Sequence, residues 1–85
     1  MEEEIGTIIH YYSRINVGIL ELSHGELKVG ETIHIKGKTT DFSQPVDSLQ
    51  IEHKSVESVK KGESAGIRVN EHVREGDKVF RVTQD

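Results

Sequence analysis

The sequence predicts an all-β protein, a closed six-stranded antiparallel β-barrel, and three observations point there. Apolar residues alternate with a period of two rather than 3.6. Glycine, serine and aspartate break the chain at short intervals, where turns must fall. Only 33% of the 85 residues are hydrophobic and 5% aromatic, so one lean core must serve every element. A closed barrel shares such a core among all strands and leaves no exposed sheet edge.

Met1–Glu4 reads as an acidic tail, residues 5–82 as the single barrel domain, and 83–85 as a C-terminal tail. Ile5–Tyr12 and Ile15–Leu22 are β-branched and aliphatic runs, parted by the polar break at Ser13 and Arg14. In Glu31–Gly37 the apolar Ile33 and Ile35 alternate with Thr32, His34 and Lys36, as a half-buried strand requires. Val46–Glu52 is entered through Pro45, which suits a strand start or an edge. Ser55–Lys61 is the one helix-like segment, ended by Gly62. Gly66–Asn70 alternates again, with Ile67 and Val69 against Arg68 and Asn70, and Lys78–Val82 reads as a short last strand.

The stretch GELKVGETIHIKG holds Gly25, Gly30 and Gly37, three of the eight glycines. Gly25 and Gly30 fall where the chain must reverse, and glycine accepts positive φ without steric cost. Between them Leu27 and Val29 are placed to fold back as a plug over one barrel end. No GxxxxGK[ST] loop occurs and no GxGxxG opens a helix, so neither nucleotide nor cofactor is expected.

Cysteine is absent, which excludes disulfides and cysteine-based zinc sites. The net charge is −4, three of the negatives being Glu2, Glu3 and Glu4, so the rest of the chain is close to neutral. Contact with a polyanion would therefore need a local basic patch. An acidic start and the lack of a long apolar run argue against a signal peptide or a membrane span, and a cytoplasmic protein is the default expectation.

GELKVGETIHIKG resembles a segment of the second domain of translational GTPases such as elongation factor Tu. VDSLQIEHKSVESVKKGESAGIRV is similar to that domain's strand and glycine turn, and VREGDKVFRV to its closing element. SRINVGILELSHG occupies the place of its first hairpin, with the glycines changed. The likeness runs from Ile5 to Val82, and the text is most similar to small stand-alone translation-elongation-factor-like proteins. The resemblance implies a barrel of the translation-protein type, without catalysis of its own, that binds RNA or a ribonucleoprotein surface; tRNA or rRNA are the implied partners. It also maps an aminoacyl-end pocket onto Glu3–Ile5, Asn16, Ser64 and Arg68, although Arg68 would crowd an apolar pocket. A similar barrel is appended to some collagenase-like peptidases, which implies a peptidase-like or translation-related protein as partner instead.

His34, Lys36 and Lys38 share one strand face and its exit, a basic strip that is the best nucleic-acid candidate, with Arg68 and Lys54 as neighbours. Phe42, in the polar loop text TTDF, is placed to stack on a base, whereas Phe80 reads as core. The five histidines lie one per element, without HxH or HExxH spacing, so no metal site is expected. No serine has an elbow motif, and no carboxylate pair is marked for acid–base work. The sequence thus expects a non-enzyme: an RNA-binding module or, alternatively, a protein–protein adaptor barrel without RNA affinity.

Overall fold

The computed structural model describes residues 2–83. Among these residues ten strands form: β1 (Glu2–Tyr12), β2 (Val17–Leu22), β3 (Glu26–Lys28), β4 (Thr32–Lys36), β5 (Asp41–Pro45), β6 (Leu49–Ile51), β7 (Lys54–Val56), β8 (Ser58–Lys60), β9 (Ser64–Arg68) and β10 (Lys78–Val82). Eight of them make one antiparallel sheet in the order β5-β4-β10-β1-β2-β9-β6-β7, and β3 pairs with β8 in a second, two-stranded sheet.

The all-β expectation holds, but the closed six-stranded barrel does not. The large sheet is open, with β5 and β7 as its edges. Its strands do curl about a common core, and β1 supplies the bend. Its register shifts between Glu4 and Gly6 and again between Ile8 and His10. Such bulges sharpen local twist. At Gly6 the chain passes so close to the Glu21 carbonyl that a Cβ has no room.

What the ladder does not close, one side chain bridges. Gln44, on β5 and 3% exposed, donates from Nε2 to the Arg68 carbonyl and accepts from the Asn70 N–H at Oε1, both at 2.7 Å. Donating to one residue and accepting from the residue two further on is the pattern of a parallel β-bridge opposite Val69. The carboxamide stands in for a peptide group that the edge strand lacks. Pro45 ends β5 at this edge, as expected of a residue with no N–H to donate.

The helix-like Ser55–Lys61 folds as β7 and β8 instead. Val56 and Val59 share a helical spacing, yet each is claimed by a different partner: Val56 lies opposite Leu49 and Val59 opposite Leu27. The β6–β7 hairpin turns through Glu52 and His53, with φ of 51° and 66°. This is a two-residue turn with both centres left-handed, built without the glycine that usually marks it. Gly25 and Gly30 do take positive φ, 67° and 98°. Of the expected plug, Leu27 is fully buried while Val29 stays 42% exposed.

The core combines Ile5, Ile8, Leu20, Ile33, Ile35 and Val79 of the large sheet with Leu27 and Val59 of the small one. The acidic residues read as a tail, Glu2–Glu4, are the first residues of β1 and pair with Val82, Arg81 and Phe80. Met1 and two of the three residues read as a C-terminal tail (83–85) lie outside the described residues. Among the described residues no helix is long and apolar enough to cross a membrane.

Candidate functional site

The β1–β2 hairpin carries apolar residues on both of its faces. Gly18, Leu20 and Leu22 point inward, whereas Val17 and Ile19 point outward and remain partly exposed. At the hairpin tip Ile15 is 59% exposed and Tyr12 48%. The register then builds a trough. Ile19 and Gln50 both lie opposite Gly66, one on either side of β9. With no side chain on Gly66, the middle of that row is open backbone. Val17 and Ile19 lean over it, 3.3 and 3.7 Å from where a Cβ would stand.

Two adjoining clefts share this floor. One, about 260 Å³, runs past Ser48 to Arg68. The other, about 480 Å³, runs past Tyr12 to Glu52, His53 and Ser64. Together they form a groove along β9 with an aliphatic wall on β2 and a polar wall made by Gln50 of β6 and Ser48 just before it. Arg68 lies toward one end and Glu52 toward the other. Such a surface can hold an extended chain by apolar contact on one side and hydrogen bonds on the other.

The residues singled out in the sequence divide between this groove and the opposite part of the sheet. Arg68 and Ser64 line the groove, at the two ends of β9. Asn16, with φ of 55°, shapes the hairpin tip. Its Oδ1 accepts the Tyr11 hydroxyl at 3.3 Å and its carbonyl accepts Val69 N–H at 2.8 Å.

His34 and Lys36 do share the outer face of β4, and Lys38 is exposed in the turn beyond it. His34, however, is already engaged. Its Nδ1 lies 2.9 Å from Glu2 and its Nε2 2.5 Å from Asp41. The hydrogen bond to Asp41, then that to Glu2, hold its pKa above the ordinary 6.5, and the bond from His34 holds Asp41 below 3.8. A ring bonded to two carboxylates is a poor phosphate ligand. Phe42 is not in a loop: it lies in β5 opposite Ile35 and packs against the core, which withdraws it from base stacking. Among the described residues no group of three or more histidines and carboxylates is arranged to hold a metal ion.

Gln44 and the aliphatic wall escaped the sequence reading. A signal for the wall existed: Ile15–Leu22 is apolar at both parities, where a strand with one solvated face alternates. Gln44 had none, because its partners are backbone atoms 24 and 26 residues away.

No family model matches the chain. Over 78 residues, 91% of its length, it is 49% identical to an uncharacterized protease of Methanocaldococcus jannaschii and 40% identical to a collagenase of Porphyromonas gingivalis. The chain spans only 19% and 22% of those proteins. Two crystal structures of the C-terminal domain of a Geobacillus thermoleovorans protein described as a U32 peptidase share the fold. Their TM-scores are 0.84 and 0.87 at 11% identity, over 91% and 95% of this chain and 96% and 93% of theirs.

These findings overturn the assignment to the second domain of translational GTPases, and with it the translation-associated, RNA-binding function. The motifs that carried the resemblance mark glycine turns and short strands. They report how a small curled β module turns, which unrelated functions share. Nor do relatives named as proteases support the expectation of a non-enzyme. The chain is similar to about a fifth of each protease and to a domain from the C-terminal end of a peptidase.

Proposed function

We propose that the chain serves a U32-type, collagenase-like peptidase as its polypeptide-binding module, with the groove along β9 holding an extended segment of the protein substrate. The observation that carries this reading is the 40–49% identity to proteins named as proteases, sustained over 91% of the chain. The groove supplies the means. An extended peptide turns alternate side chains to opposite sides, so one row can pack on Ile15, Val17 and Ile19 while its amides meet Gln50 and Ser48. Gly66 lets the backbone come close.

Calorimetric titration with gelatin tests it. The parent should bind, and Ile15→Asp should weaken binding by about tenfold or more, since a buried isoleucine is worth about 2 kcal/mol. Gly66→Ala should weaken it less, by narrowing the floor. If the parent does not bind, or both variants bind like the parent, the reading is wrong. Binding to the rest of a peptidase instead, lost in the same variants, would make the groove an internal docking surface and overturn the substrate assignment.

A further inference from the structure

Around His34 three strands are tied by one ring. Glu2 comes from β1, His34 from β4 and Asp41 from β5, with a carboxylate oxygen near each ring nitrogen: 2.9 Å at Nδ1 and 2.5 Å at Nε2. A neutral imidazole has one N–H and one lone pair, so it bonds one ionised carboxylate and turns its lone pair toward the other. Only the imidazolium donates to both. β5 is an edge strand, held by one ladder to β4 and by the Gln44 bridge.

We propose that the His34–Glu2–Asp41 cluster is a pH-operated latch on the edge of the sheet. It fastens β5 and the start of β1 to β4 while His34 is protonated, and lets β5 fray once the ring is neutral.

The groups facing His34 set the balance. On β4 Lys36 shares its face, and on β10 Lys78 lies opposite Lys36; both cations oppose protonation. Phe80 of β10 offers an aromatic ring at 6.1 Å. Glu4 of β1, opposite Phe80, adds a negative charge to the favouring side of Glu2 and Asp41. The two carboxylates in direct contact prevail, in keeping with the raised His34 pKa. Loosening should stay local, because the core beneath β4 and β10 does not titrate.

The test follows His34 ring resonances through a pH titration, with amide exchange of β5 measured against β2 in the same samples. The His34 midpoint should lie above 6.5 and fall in Asp41→Asn. As pH rises through it, exchange of β5 relative to β2 should quicken about threefold, in line with an exposed ion pair. His34→Gln should abolish that pH dependence while leaving the β2 protection intact. A midpoint at or below 6.5, or a β5-to-β2 ratio constant across the titration, overturns the latch.

Discussion

β5 is fastened on its two faces by polar groups of opposite kinds. Outside, Asp41 meets His34 in an exposed ionic contact; inside, Gln44 meets two backbone groups as a neutral amide with 3% exposure. The difference follows from solvent. A charge in water is cheap to keep but weakly held, because water and salt screen it. A buried polar group bonds without competition, but must be neutral and fully partnered. The inner contact should therefore govern stability and the outer one its pH dependence.

The largest effect should come from putting a charge on the inside. Gln44→Glu replaces the donor to the Arg68 carbonyl with a carboxylate oxygen, and should cost about 3 kcal/mol at neutral pH by urea denaturation. Protonation restores a donor, so the folded-state pKa of this glutamate is raised. The deficit should shrink as pH falls below that value. An unchanged deficit at pH 4.5 would mean that shape, not charge, matters at the seam. Gln44→Leu keeps the volume but orphans the Arg68 carbonyl and the Asn70 N–H, and should cost about 2 kcal/mol at every pH.

On the outer face His34→Gln should cost less, under about 1 kcal/mol. The His34 pKa is raised, so its contribution is complete below 6.5 and lost as pH rises through the elevated folded value. The Asp41 pKa is lowered, so its contribution is present above 3.8 and lost as pH falls through the depressed value. The difference between parent and His34→Gln should thus be greatest between those limits, near pH 5, and fade in alkali or high salt. The smallest effect on stability belongs to Ile15→Asp, within about 0.5 kcal/mol, since that side chain already faces water.

The same contrast explains what the sequence revealed. Strands with one buried face, such as β4 around Ile33 and Ile35 and β9 around Ile67, are legible because alternation is local, although β9 spans Ser64–Arg68 and ends before Val69 and Asn70. β3, β7 and β8 do not read as strands because three residues are too few to show a period, and β3 and β8 pair across some thirty residues of chain. The five residues of β5 are hidden by polar text, with only Phe42 and Gln44 turned inward. Phe42 reads as a loop residue until Ile35 is seen opposite it. Closure of the barrel was inferred from a general aversion to open edges, whereas here the glutamine amide and Pro45 manage the edge. In the groove, Arg68 and Ser64 stand out in the sequence for another ligand, while the apolar wall reads only as part of an aliphatic strand run. The turn motifs were legible but spoke of fold, and were misread as function.

The most direct test of the polypeptide-binding groove is a nitrogen-15 amide shift map of the chain titrated with a soluble denatured-collagen peptide. The shifts should centre on Gly66, Ile15, Val17, Ile19 and Gln50 and leave the β4–β5 face around His34 unmoved. Shifts centred on that face, or no saturable shifts at all, would contradict it.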